Sequence, residues 1–147
     1  FGFWWIYFDL VGRRLPRNGP ALRNWVLSHF PITLSIVAAG AAIVSLIGHA
    51  HDASAPEATA WLLAGAVALG LLALIVIGQS ILDAERLSSV YRPLSIVLGI
   101  GAVAALVVGW ARPAPWLLAM LLSVLWAFAV LRFLSADAWG DAPAVVD

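Results

Sequence analysis

Asp9 and His29 are the two residues of this 147-residue chain whose types and placement point to chemistry. Asp9 closes the run Trp4-Trp5-Ile6-Tyr7-Phe8 near the end of one apolar segment, and His29 sits about one turn inside the next, which returns from the same side. A carboxylate and an imidazole at similar depth on sequence-adjacent helices can relay protons or hold a cation, because an ionisable group in a bilayer needs a partner or a pathway. The competing reading is structural. Arg13 stands four residues after Asp9, so a helix-end ion pair would satisfy the carboxylate. Ser28-His29-Phe30-Pro31 also reads as a helix start, with Ser28 as N-cap and Pro31 in the first turn, where its missing N–H costs little; His29 would then meet headgroups or water.

Other polar groups carry weaker signals. His49, His51, Asp52 and Glu57 share one loop, but their spacing matches no metal-site signature, and a hydrated loop is the expectation. Asp83, Glu85, Arg86 and Arg92 read as a local set of ion pairs. Arg13, Arg14, Arg17 and Arg23 crowd one loop, where each basic side chain can gain about 1 kcal/mol from anionic lipid headgroups. The chain has no cysteine, which excludes disulfides, thiolate metal sites and cysteine nucleophiles. A phosphate-binding glycine loop, a G-x-S-x-G elbow and an H-E-x-x-H pair are all missing from the sequence. The expectation is a protein without enzymatic activity, metal or cofactor.

The elements that must position these residues are written in the composition. Soluble domains carry about 25% charged residues; this chain carries 11%, with 63% hydrophobic residues and a mean hydropathy of +0.99. Eight basic residues balance eight acidic ones, so nothing favours nucleic acid as a partner. Four apolar runs, about Trp25 to Gly48, Ala60 to Leu82, Leu94 to Trp110 and Trp116 to Leu134, have interiors free of Asp, Glu, Lys and Arg. Each is close to or above the length that crosses a hydrocarbon layer of about 30 Å at about 1.5 Å per residue. An apolar stretch at about residues 1–11 is too short to span and reads as the end of a fifth crossing, so the chain looks like a piece of something longer. The expected fold is an all-α polytopic transmembrane bundle. It forms one domain over residues 1–134, with four full spans plus that fifth, followed by a short acidic tail at 135–147.

Orientation follows from arginine. Arg13, Arg14, Arg17 and Arg23 in the first loop, Arg86 and Arg92 in the third, and Arg132 at the last helix end place those loops and the C-terminus in the cytoplasm. Trp25, Trp61, Trp110 and Trp116 fall at span ends, where an indole buries its ring and keeps its N–H near water. On the third full span, Gly101, Ala105 and Gly109 form a stripe of small residues that permits close helix contact.

With these residues laid out, the chain resembles the bacterial low temperature requirement A (LtrA) family. The resemblance is carried by Trp4-Trp5-Ile6-Tyr7-Phe8-Asp9 and by His29-Phe30-Pro31-Ile32, which opens a helix continuing through Ala38-Ala39-Gly40. After Gly48 it rests on hydropathy and on the loop around Arg86 and Arg92. It implies the C-terminal portion of a longer multi-pass protein of the bacterial plasma membrane, linked by name to growth at low temperature. The expected partners are membrane lipids and further helices of the longer chain. The leading functional expectation is a transport or permeation module in which Asp9 and His29 face a polar cavity for an unidentified small ion or solute. The rival is a non-transporting envelope protein that acts through lipid binding or partner assembly.

Overall fold

The computed structural model describes residues 18–80 and 88–140. The described residues are all-helical: α1 (Gly19–Gly48), α2 (Glu57–Gln79), α3 (Ser88–Ala111) and α4 (Pro115–Gly140), without a strand. The segment around residues 1–11, with Asp9, Arg13, Arg14 and Arg17, lies outside the described residues, as does the stretch after residue 140.

The start of α1 corrects the sequence reading. Ser28 is not the N-cap; Asn18 is, with extended backbone and a side chain that accepts a hydrogen bond from the Ala21 amide at 2.9 Å. Pro20 follows in the first turn, where a missing N–H is harmless. Asn18-Gly19-Pro20 is therefore a stronger start signal than Ser28-His29-Phe30-Pro31, and the helix runs through the polar residues Arg23 and Asn24 before its apolar run begins. Pro31 consequently lies inside the helix, where it cannot donate to the Leu27 carbonyl. Replacing Asn18 with Ala should lower the unfolding free energy by about 1 kcal/mol, the usual worth of such a cap, read from an unfolding titration in detergent micelles.

Among the described residues, three helices are long and apolar enough to cross a membrane: Gly19–Gly48, Glu57–Gln79 and Arg92–Ala111. This differs from the expected four full spans, because the described apolar stretch of the fourth helix, Pro115–Phe128, is shorter. α4 itself continues through Arg132 and Asp137 to Gly140, since backbone hydrogen bonding does not stop where the apolar run stops. α3 likewise begins at Ser88 and passes through Pro93.

α2 is the centre of the bundle. Of its span, 61% is buried, against 22% for α1 and 28% for α3, so it packs between those two helices while α4 lies mainly on α3. Its sequence explains this: Ala, Gly, Leu and Ile cover the helix all round, and buried residues occur on more than one face. α1 offers it a single face, on which Ala21, Ser28, Ser35 and Ala42 recur every seven residues beside Ile32 and Leu46. The opposite faces of α1 and α3 present Phe30, Val37, Val44, Ile100 and Val103 outward. Apolar patches of this extent belong against hydrocarbon or other helices.

Candidate functional site

His29 stands ten residues into α1, about 15 Å along the axis from Gly19. The imidazole is half-buried. Its Nδ1 lies 2.6 Å from the Trp25 carbonyl oxygen, and since a carbonyl only accepts, Nδ1 carries the proton in this contact. In the neutral ring Nε2 is then the acceptor nitrogen. The ring also meets the Trp25 indole edge-on, with centroids 4.5 Å apart and planes at 61°. Thr33 Oγ1 donates to the His29 carbonyl at 2.9 Å, one turn further on. The helix thus holds the imidazole in one tautomer and one orientation. Asp9, its expected partner, lies outside the described residues, and the earlier start of α1 moves His29 from the first turn to nearly three turns in. Of the four loop arginines, Arg23 alone falls among the described residues; it sits exposed near the start of α1.

The buried serines divide into two kinds. Ser28 Oγ donates to the Asn24 carbonyl at 2.7 Å, and Ser80 Oγ, at the end of α2, donates to the Val76 carbonyl at 2.9 Å. Both hydroxyls are satisfied within their own helix. Ser35 is fully buried and its Oγ has no hydrogen-bond partner among the described residues; the buried Trp25 Nε1 is in the same position. Further along α1, Ser45 Oγ and Thr59 Oγ1 of α2 share a hydrogen bond of 2.7 Å. Sequence reasoning gave Ser28 a capping role and missed Ser35; the signal was the seven-residue recurrence of Ser28, Ser35 and Ala42, which places three small residues on one face.

At the end of the bundle that carries the α1–α2 loop, the candidate metal ligands go their own ways. His49 Nδ1 turns back 2.8 Å from the Ser45 carbonyl, His51 and Asp52 are exposed, and Glu57 pairs with Arg112 at 3.2 Å. Among the described residues no three His, Asp or Glu side chains are grouped to hold a metal ion. Arg112 instead joins two loops. Its backbone adopts a left-handed φ of 47°, its Nε donates to the Ala55 carbonyl at 3.3 Å, and the Ala55 amide donates to the Pro113 carbonyl at 3.0 Å. The clasp brings the two loops together at one end of the bundle. Glu57→Gln should cost no more than about 1 kcal/mol in the same unfolding titration, because both side chains are solvent-exposed and the backbone bond remains.

The Gly101–Ala105–Gly109 stripe of α3 lies where its small residues are needed. A Cβ on Gly109 would collide with Ala64 Cβ of α2, and it would stand 3.2 Å from the Ala60 carbonyl oxygen. One on Gly101 would stand 3.3 Å from Leu71 Cδ1. Ala105, between them, is fully buried.

The sequence matches the family described as bacterial low temperature requirement A protein (LtrA) over residues 1–131. The chain belongs to the LtrA family. The match takes in the Asp9 segment, all of α1 to α3 and most of α4, so it reaches well beyond the residues up to Gly48 that carried the specific resemblance. Family and apolar helices together make this LtrA chain a membrane protein. Among curated proteins and solved structures, none matches it.

Proposed function

We propose that this LtrA chain is the membrane-embedded part of a transport or permeation module of the bacterial plasma membrane, in which His29 and Asp9 share a polar cavity. In this reading α4 crosses the bilayer as a fourth span, residues 1–11 end a fifth, and the C-terminus is cytoplasmic. The module works without enzymatic chemistry or a cofactor, among membrane lipids and the further helices of a longer chain. The observation that carries it is the setting of His29. An imidazole within a helix of membrane-spanning length, its Nδ1 bonded to Trp25 and its ring packed on the indole, is costly in hydrocarbon and is retained where a polar pathway uses it. The test is proton and cation flux into liposomes containing the full-length protein, compared with Asp9→Asn and His29→Ala variants that insert equally well. Flux that either substitution abolishes supports the pathway; a correctly inserted wild type that moves none of a panel of common cations retires it.

The rival reading, an envelope protein acting through lipid binding or partner assembly, draws on the exposed Arg23 near the start of α1. It makes Arg13, Arg14, Arg17 and Arg23 headgroup contacts. Its signature is co-sedimentation with anionic vesicles that these arginines control, in a protein that conducts nothing.

A further inference from the structure

The end of the bundle that carries the α1–α2 loop gathers exposed indoles from three helices. Trp61 of α2, Trp110 at the end of α3 and Trp116 at the start of α4 are 42%, 73% and 63% exposed. Trp25 is set apart from them, because its Nε1 is buried. Two of the three indoles close an outward apolar stripe: Val103 and Val107 share a face of α3 with Trp110, and Met120 and Val124 share a face of α4 with Trp116. An indole where such a stripe gives way to a polar turn belongs at the boundary between hydrocarbon and headgroups.

The Arg112–Glu57 pair lies at the same end. Arg112 falls between Trp110 and Trp116 in the chain, and Glu57 precedes Trp61 by one turn on one face of α2. The two side chains are 3.2 Å apart and 39% and 69% exposed. Nε on the Ala55 carbonyl and Nη1 on Glu57 fix the guanidinium and use two of its five N–H donors. Both partners therefore keep hydrogen-bonding capacity that solvent or a ligand can reach. Among the described residues, the charged side chains at this end are Asp52, Glu57 and Arg112. Two carboxylates to one guanidinium give an anionic lipid no net attraction, whereas they complement a headgroup that carries both signs of charge.

We propose that Arg112, Glu57 and the indoles of Trp61, Trp110 and Trp116 bind the headgroup of a zwitterionic aminophospholipid. Its phosphate takes the remaining guanidinium donors, its primary ammonium meets the Glu57 carboxylate and the indole faces, and its acyl chains follow the apolar stripes of α3 and α4. The site lies at the opposite end of α1 from Arg23, so it is separate from the anionic headgroup contacts of the rival reading, and it does not depend on whether the protein conducts.

The test uses the full-length protein in detergent micelles, titrated with phosphatidylethanolamine or phosphatidylglycerol of the same acyl chains, with bound lipid read by native mass spectrometry. Glu57→Gln removes the partner of the ammonium, and Trp110→Leu combined with Trp116→Leu removes the rings while keeping an apolar surface. Each is expected to weaken phosphatidylethanolamine binding about two- to five-fold, the worth of one exposed ion pair or cation–π contact, and to leave phosphatidylglycerol binding unchanged. Arg23→Gln, at the other end, should leave phosphatidylethanolamine binding unchanged. Wild-type binding of phosphatidylethanolamine in both clasp-end variants overturns the proposal. A readout on the wild type covers variants that fail to fold: hydroxyl-radical labelling of Trp110 and Trp116, resolved by peptide mass spectrometry, is expected to fall when phosphatidylethanolamine is added and to persist with phosphatidylglycerol. Equal labelling with the two lipids overturns the proposal. So does protection before any lipid is added, which would show that a second copy or a further helix covers the indoles.

Discussion

Gly109→Ala will destabilise the folded protein, although Ala is the better helix former. In an open stretch of helix the change from Gly to Ala gains about 0.5–1 kcal/mol through backbone entropy. At Gly109 the new methyl collides with Ala64 Cβ and comes within 3.2 Å of the Ala60 carbonyl oxygen. The first of these is itself a side chain of one carbon, and the second is helix backbone, so relief requires α2 and α3 to move apart. Overpacking of this kind costs about 1–3 kcal/mol, which exceeds the propensity gain. Separation also sacrifices the contact between the central helix and its neighbour, and lipid competes for both surfaces with no hydrophobic penalty. Gly99, on the same helix, and Gly40, on α1, have nothing within 4 Å of an added Cβ, so the same substitution there should be neutral or stabilising. Unfolding titrations of Gly109→Ala, Gly99→Ala and Gly40→Ala in detergent micelles should therefore show opposite signs. A stabilising Gly109→Ala would mean that α2 and α3 are not packed on this stripe.

The small-residue stripe was legible from sequence because its content is local: spacing of four along one helix fixes one face, and Gly and Ala fix what can approach it. Three of the four expected full spans were legible for a similar reason, since long apolar runs need no partner to be read. The beginning of α1 was not. Hydropathy marks where a helix enters hydrocarbon, whereas Asn18 marks where its backbone bonds begin, and the turns that include Arg23 and Asn24 belong to the second and not the first. The clasp between Arg112 and Glu57 is a contact between residues far apart in the chain, which charge placement alone could not pair. Ser35 was the least visible of all. In a hydropathy reading it is one tolerated hydroxyl in an apolar run, and that it has no partner among the described residues is visible only once the helices are packed.

His29→Asn separates the two roles that the imidazole can play, and in the transport reading it abolishes flux. Asn carries an amide N–H at nearly the position of Nδ1–H, so it can keep the bond to the Trp25 carbonyl that the imidazole makes at 2.6 Å. Its amide neither takes up nor releases a proton, whereas an imidazole can do both. His29→Ala removes both properties, so loss of flux in that variant alone would also fit a histidine that merely holds Trp25 in place. If His29 passes protons or answers to a bound cation, Asn and Ala variants both fall to the level of protein-free liposomes, while the Asn variant keeps its melting temperature closer to wild type. Full flux in His29→Asn would make the residue a positioning group for Trp25. The pathway would then have to be sought at Asp9 or in helices beyond these. The contrast is informative because the geometry is one-sided: the helix carbonyl occupies Nδ1, so proton exchange with any partner, Asp9 included, has to run through Nε2. An amide side chain holding the Nδ1 bond leaves nothing at that second position to titrate.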